Sequence, residues 1–209
     1  MPPKLPFLRC PSDPYGLDEP LTNYTGSQGP QCWRGKCGAV NDPYQKYCNG
    51  TSDDPPQLLS LYRGYTASPN QGKTLDASQV RGLFGTWGPR ITFASATDGT
   101  SNTLLLGEYL PGENQSSKGH WALAGPGRAI TTIIPLNYHT NYFGADGCTA
   151  APERYFANAN VADGFKSWHH GGVNFAFADG SVHFLSETID HQTYQYLGCR
   201  NDGQVASLP

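Results

Sequence analysis

VNFAFADGSVHFL, at residues 173–185, is the stretch that decides the fold prediction. Apolar side chains such as Phe175 and Phe177 alternate with small or polar ones, and this period of two is typical of a half-buried β-strand. Asp179 and Gly180 separate two such runs, and this dipeptide is typical of a two-residue type I′ turn because glycine tolerates a positive φ. The sequence therefore predicts an antiparallel β-hairpin.

A two-residue turn also predicts the register of the hairpin. It places Phe177 across from Val182 and Phe175 across from Phe184, so that these four apolar side chains share the core face. The alternate side chains, His183 among them, are then expected to point away from the core because successive residues of a strand face opposite sides.

Loops and short strands are predicted around this hairpin. The 209 residues include 25 glycines and 17 prolines, which disfavour long helices. Further strands are predicted at residues 91–93, 103–109, 120–124 and 129–134, with a short helix from Ser186 to Leu197. We expect a single α+β domain, 1–209, in which 1–90 is loop-rich. Residues 91–209 should form an antiparallel β-sheet core with long loops and few short helices.

Composition and cysteine content limit the possible functions. Charged residues make up 15% of the chain, the net charge is -3, and no basic cluster is present to neutralise phosphates, so nucleic-acid binding is disfavoured. An even number of cysteines in a loop-rich chain predicts up to three disulfides in an extracytoplasmic compartment, with free buried thiols as the alternative. The six cysteines are Cys10, Cys32, Cys37, Cys48, Cys148 and Cys199.

Four separated stretches resemble a known protein family. They are Cys10-Pro11-Ser12-Asp13-Pro14, the run TDGTSNT at 97–103 with Glu108, His169 followed after nine residues by Asp179-Gly180, and Leu197-Gly198-Cys199-Arg200 leading to Gly203. In this order they resemble the pilin-like proteins with a C-terminal His-x9-Asp-Gly motif, which are abundant in planctomycetes and related to the major pseudopilin of type II secretion. The resemblance implies a pilin-like head that is periplasmic, on the cell surface or secreted, with a structural or secretion-related function.

The resemblance also implies partners and a cofactor. Such proteins carry an N-terminal cleavage and methylation site and a long hydrophobic helix that contacts the membrane, and this chain begins where the head would begin. Like subunits or the secretion machinery are the implied partners. Because related secretion pseudopilins bind calcium in a loop of the head, the resemblance implies a Ca²⁺ cofactor.

Oxygen-bearing side chains predict where calcium would bind, because Ca²⁺ takes about six to eight oxygen ligands in a flexible loop. The predicted metal ligands are Asp98, Asn102 and Glu108 in one stretch, and Asn158, Asn160 and Asp163 in another. Asp42, Asp53 and Asp54 form a third candidate stretch. The alternative is that Asp98-Gly99 and Asp163-Gly164 are ordinary turns.

Polar residues around the hairpin predict a catalytic site as an alternative to a structural role. An imidazole can act as a general base or a metal ligand, and the predicted catalytic residues are His169, Asp179 and His183. The alternative function is a calcium- or metal-dependent hydrolase of small esters or lactones, such as acyl-homoserine lactones, on a pilin-like scaffold. In the structural interpretation, Asp179 shapes the turn and His169 fixes the segment that leads into the hairpin.

Aromatic side chains are frequent in the irregular stretch 135–164. They are Tyr138, Tyr142, Phe143, Tyr155 and Phe156. They predict a ligand groove, a subunit contact, or packing beneath a long loop.

Overall fold

The computed structural model describes residues 3–31, 37, 72–115, 129–204, 206 and 208. Within these ranges the strands are β1 (Tyr24–Gly29), β2 (Leu104–Glu108), β3 (Ala129–Thr131), β4 (Gly172–Phe177) and β5 (Val182–Ser186). The α-helices are α1 (Gly147–Ala150), α2 (Ala159–Ala162) and α3 (His191–Gly198), and short 3-10 turns lie between the elements. The predicted α+β class, with long loops and few short helices, is confirmed.

The five strands form one mixed sheet in the order β3-β1-β2-β4-β5. The pairs β1–β2, β2–β4 and β4–β5 are antiparallel, as predicted. β1 and β3 run parallel, which the prediction of an antiparallel sheet did not include. The chain between these two strands is long enough to return β3 beside β1 in the same direction, as parallel pairing requires. In the part of the chain that the structure describes, no helix has the length and apolar character that crossing a membrane requires.

The predicted hairpin is present as β4 and β5, but its register differs from the predicted one. Phe175 lies across from His183 instead of the next residue along β5. The backbone N–H of Phe177 donates to the carbonyl oxygen of Ser181 at 2.9 Å, so the loop contains three residues instead of two. Gly180 closes this loop with a φ of 88°, the left-handed conformation that a three-residue hairpin loop requires at this position.

The one-residue difference in register exchanges the two faces of β5. Val182 and Phe184, predicted in the core, are 68% and 51% exposed, and Leu185 is buried instead. His183, predicted to point away from the core, lies on the core side, where its ring centroid is 5.1 Å from that of Phe177. The predicted core face is therefore right for β4 and wrong for β5.

The other predicted strands have mixed outcomes. The strand at 103–109 is confirmed as β2, and that at 129–134 is confirmed in part as β3. The strand predicted at 91–93 is wrong, because Phe93 begins a 3-10 turn, is 57% exposed and has no strand partner in the sheet. The strand predicted at 120–124 lies outside the described residues.

The C-terminal helix is present but starts later than predicted. Ser186 ends β5, and α3 begins after Asp190, whose carboxylate accepts a hydrogen bond from the backbone N–H of Thr193 at 2.8 Å. This bond caps the helix by satisfying one of its free N-terminal N–H groups. Gly198 is the last residue of the helix, whereas the prediction placed it just beyond the end.

The apolar core of the described chain lies between the sheet and α3. The ring of Phe175 is at its centre, with centroid distances of 5.0 Å to Phe165 and 6.1 Å to Tyr194 of α3. The buried residues of this core are Leu104, Tyr109, Ile130, Leu136, Phe165, Val173, Phe175, Phe177, Leu185, Tyr194, Leu197 and Ala206. The opposite face of the sheet keeps apolar side chains, such as Leu106 and Val182, in contact with solvent.

One disulfide joins Cys37 to Cys148, which are 111 residues apart in the sequence. Cys10 and Cys199 are buried free thiols, so the alternative prediction holds for these two. The remaining two cysteines lie outside the described residues. The disulfide therefore closes a long loop that includes β2 and β3.

The observed register predicts different results for two phenylalanines. Phe175→Ala should lower the free energy of unfolding by about 3–5 kcal/mol because it empties a filled position in the core. Phe184→Ala, the matched control, should lower it by about 1 kcal/mol or less because that side chain is half exposed. Urea unfolding followed by circular dichroism measures both. A loss in Phe184→Ala as large as that in Phe175→Ala would contradict the three-residue loop.

Candidate functional site

Cys10, Glu108 and His169 meet at one place, although they come from distant parts of the sequence. Nε2 of His169 lies 3.3 Å from Sγ of Cys10 and 3.1 Å from Oε1 of Glu108. All three of these atoms lie within 4.8 Å of one another, and in the described chain no other group of three or more His, Cys, Asp or Glu residues is arranged in this way. The N-terminal segment, the end of β2 and the loop before β4 each supply one member.

Neighbouring groups hold each of the three side chains in place. Oε2 of Glu108 accepts hydrogen bonds from the backbone N–H of Asn174 at 2.8 Å and from its side-chain amide at 3.1 Å. Nδ1 of His169 lies 3.3 Å from Oγ of Ser12. The backbone N–H of Cys10 donates to Oδ1 of Asn23 at 3.0 Å. The three atoms that face one another are therefore oriented by partners on their far sides.

Burial sets the electrostatics of this group. Cys10 and Glu108 are buried, whereas the side chain of His169 is 30% exposed and gives the group its access to solvent. Burial raises the pKa of the Cys10 thiol, and the nearby charge of Glu108 raises it further. The thiol of Cys10 is thus held in its neutral form when no metal is bound. With the thiol deprotonated, the group offers sulfur, nitrogen and oxygen ligands to a metal ion.

The residues predicted to be catalytic do not form one site. Oδ1 of Asp179 accepts a hydrogen bond from the backbone N–H of Ser181 at 2.9 Å, and hydrogen bonds from Ser181 lower the pKa of this carboxyl. Nε2 of His183 lies 3.0 Å from Oγ of Ser181, beside the same turn. His169 lies at the other end of β4, and a strand of six residues spans roughly 20 Å. Asp179 and His183 therefore belong to the turn, and His169 belongs to the group with Glu108.

The predicted calcium ligands Asp98 and Asn102 lie together, but away from Glu108 at the other end of β2. The carboxylate of Asp98 accepts hydrogen bonds from the backbone N–H groups of Asp202 at 2.7 Å and Gly203 at 3.0 Å. The amide of Asn102 donates to the backbone oxygen of Asp98 at 3.2 Å. Burial, together with the adjacent Asp98, raises the pKa of Asp202 to about 6. Asp202 was not among the predicted ligands, and its carboxyl stands beside that of Asp98.

Asn158 and Asp163 lie at the two ends of α2, and both are buried. The amide of Asn114 donates a hydrogen bond to Oδ1 of Asp163, and burial raises the pKa of Asp163 to about 7. Oδ2 of Asp163 and Oδ1 of Asn158 have no hydrogen-bond partner among the described residues. Asn160 lies within α2, but its side chain is outside the described part of the structure, as are Asp42, Asp53 and Asp54. Calcium binding by these residues stays a prediction.

A cavity of about 550 Å³ lies beside the N-terminal segment. Asp13, Glu113, Phe143 and Trp168 are among the residues that line it. Two of them lie near the Cys10–Glu108–His169 group in the sequence, because Trp168 precedes His169 and Asp13 follows Ser12, which contacts His169. Of the predicted aromatic loop residues, Phe143 thus lines a cavity, as a ligand groove would require.

Glu113 was not predicted, and it is a charged residue with several bonding partners at this cavity. Nδ1 of His139 lies 3.0 Å from its Oε1, the backbone N–H of Thr140 donates to Oε2 at 2.9 Å, and Nζ of Lys166 lies 3.8 Å from Oε2. Burial by itself would raise the pKa of Glu113, but His139 and Lys166 outweigh it and lower the pKa. No sequence pattern links these residues, because Glu113 lies 26 residues before His139 and still further before Lys166.

The four stretches that resemble the pilin-like proteins meet in two places of the fold. One is the group of Cys10, Glu108 and His169, and the other joins Asp98 to the segment 200–203. A family model described as "Protein of unknown function (DUF1559)" matches residues 1–192. The chain belongs to the DUF1559 family. No curated protein and no solved structure matches this DUF1559 chain.

The raised pKa of Asp202 predicts a pH dependence of stability. A carboxyl with a raised pKa binds its proton more tightly in the folded state than in the unfolded state. Its contribution to stability is therefore lost as the pH rises from 3.8, the ordinary pKa of the group, to about 6, its pKa in the folded protein. Asp202→Asn should make this loss of stability smaller, whereas Asp18→Asn, at a fully exposed carboxyl, should leave it unchanged. Urea unfolding at several pH values measures the slope. An unchanged slope in Asp202→Asn would contradict the proximity of Asp98 and Asp202.

Proposed function

We propose that this DUF1559 chain is the extracytoplasmic head domain of a pilin-like protein, with a structural or secretion-related function. The observation that carries the proposal is the way in which the family-like stretches use their polar side chains. These side chains bond to the backbone of other segments and so join the segments together. Such residues maintain the shape of a domain, and this use is what we expect in a structural subunit.

Two carboxylates illustrate this use. Asp98 accepts the N–H groups of residues 202 and 203, and thereby ties the C-terminal segment to the turn before β2. Glu108 accepts the N–H of Asn174 across the β2–β4 pair. A buried backbone N–H without an acceptor is unfavourable, so each carboxylate stabilises one arrangement of the backbone.

The Cys37–Cys148 disulfide supports the extracytoplasmic part of the proposal. Disulfides persist in oxidising compartments, whereas cytosolic thiols are kept reduced. Closing so long a loop also restricts the unfolded chain, and this effect contributes about 4–5 kcal/mol in the chain-entropy treatment. The head would therefore depend on export for part of its stability.

The outer face of the hairpin supports assembly with like subunits. β5 is an edge strand of the sheet, and its Val182 and Phe184 are 68% and 51% exposed. Leu106, on the same face, is 37% exposed. Exposed apolar side chains on an edge strand favour contacts with another protein surface.

Native protein provides the test of this proposal. We expect it in the envelope or secreted fraction of the cells that make it, with Cys37 and Cys148 linked and with copies of itself as neighbours after cross-linking. Fractionation followed by peptide mass spectrometry without reduction measures all three. A cytoplasmic protein with both thiols free would overturn the proposal, and the Cys37→Ser/Cys148→Ser double variant provides the reduced reference.

A hydrolase of small esters or lactones is the second candidate function, and one observation favours it. The Cys10–Glu108–His169 group has access to solvent through His169, and a cavity lies beside its neighbours in the sequence. In this candidate, Cys10, Glu108 and His169 would hold calcium or another divalent metal, which would polarise the carbonyl group of the substrate or activate water.

A panel of esters and lactones, including acyl-homoserine lactones, separates the two functions. With the head purified and supplied with calcium, with zinc or with chelator, we expect no turnover. If calcium binds at the Asp98–Asp202 pair, chelator should lower the melting temperature and calcium should restore it. Turnover that needs a metal and disappears in His169→Gln, but not in the control His183→Gln, would favour the hydrolase.

A further inference from the structure

We propose that Cys10, Glu108 and His169 form a binding site for a divalent transition metal of the zinc class, which fastens the N-terminal segment to the sheet. The inference goes beyond the proposed function, because either a structural head or a hydrolase could carry such a metal. It rests on the geometry of the three side chains, their ligand chemistry and the groups that orient them.

The distances between the ligand atoms fit a single metal ion. Zinc lies about 2.0–2.3 Å from nitrogen, oxygen and sulfur ligands in a tetrahedral arrangement, so neighbouring ligand atoms should be about 3.3–3.6 Å apart. The observed separations are 3.3 Å from Nε2 of His169 to Sγ of Cys10, and 3.1 Å from the same nitrogen to Oε1 of Glu108. The third separation, between Sγ of Cys10 and a carboxylate oxygen of Glu108, is no more than 4.8 Å, so side-chain shifts of about 1 Å would complete the tetrahedral geometry.

The ligand set favours a zinc-class metal over calcium. Two of the three donors are a thiol sulfur and an imidazole nitrogen, which are ligands of zinc, cobalt and related metals. Calcium requires oxygen ligands in larger number, and Glu108 alone supplies one here. The surroundings of Glu108 therefore differ from the calcium site that its sequence stretch predicted.

Hydrogen-bond partners on the far side of two ligands orient the free lone pairs of those ligands toward the proposed metal position. When Nδ1 of His169 carries the proton and donates it to Oγ of Ser12, Nε2 is left unprotonated and faces Cys10 and Glu108. Asn174 occupies Oε2 of Glu108 with two hydrogen bonds and leaves Oε1 for the metal. Such outer partners are characteristic of metal sites, because they fix the orientation and the protonation of the ligands.

Three protein ligands leave one tetrahedral position for water. The partly exposed side chain of His169 provides the path by which the ion and the water reach a group whose other two members are buried. The ion would connect residues 61 and 159 positions apart in the sequence, so its removal should loosen the N-terminal segment from β2.

Cobalt(II) titration of the full 209-residue chain tests the site. After removal of metals and with free thiols reduced, we expect one equivalent of Co²⁺ to produce the thiolate-to-cobalt absorption band and tetrahedral visible bands. Both should disappear in Cys10→Ser and in His169→Gln. They should remain in Cys199→Ser, which removes the other buried free thiol, and in His183→Gln. Zinc should displace the cobalt, and calcium should not.

A milder variant keeps the test decisive if a ligand variant fails to fold. Ser12→Ala removes the hydroxyl that lies beside Nδ1 of His169 and also hydrogen-bonds Cys10, and should weaken Co²⁺ binding about 10- to 100-fold with little change in melting temperature without metal. No thiolate band in the wild type, a band that persists in Cys10→Ser, or unchanged affinity in Ser12→Ala would overturn the proposal. None of these outcomes bears on the cellular location or the assembly of the head.

Discussion

The carboxylate of Glu108 is the constraint on which the arrangement of this molecule depends. It is buried on the sheet, and a buried charge is tolerated only when its hydrogen bonds are satisfied. Asn174 satisfies one oxygen, and His169 lies within hydrogen-bond distance of the other. The N-terminal segment covers the group and brings Cys10 to it. One side chain thus determines where three distant segments of the chain meet.

The sequence predicted that a hairpin exists, but not how its strands are paired. Alternation of apolar residues is a local signal, and it identified β4 and the run that becomes β5. Register depends on loop length, and Asp179-Gly180 is compatible with both two- and three-residue loops. The structure includes Ala178 in the loop, and this single residue moves Val182 and Phe184 to the solvent side. The parallel β1–β3 pair was beyond prediction for a similar reason, since no local pattern specifies the partner of a strand.

Two of the three residues of the candidate site were predicted individually, but the group was not. His169 and Glu108 were each identified, one as a catalytic base and the other as a calcium ligand. Cys10 was counted only among six cysteines that predicted up to three disulfides, because cysteine number indicates pairing but not which cysteines remain free. Their meeting depends on contacts between segments 61 and 159 residues apart, and side-chain chemistry alone contains no information about such contacts. Asp202 and Glu113 were missed because their importance comes from burial next to other charges.

The sheet order has a consequence for the way the chain is made. β1 is synthesised first among the strands, yet it lies between β2 and β3, and Gly26 pairs with Ala129. Contacts between such distant residues form slowly, because a long loop must close before they are gained. During synthesis one edge of β1 therefore stays unpaired until β3 has emerged, and during that interval it is open to pairing with another chain. Fast synthesis of the C-terminal half would shorten this period, and a binding protein that covers β1 would protect the strand while the period lasts.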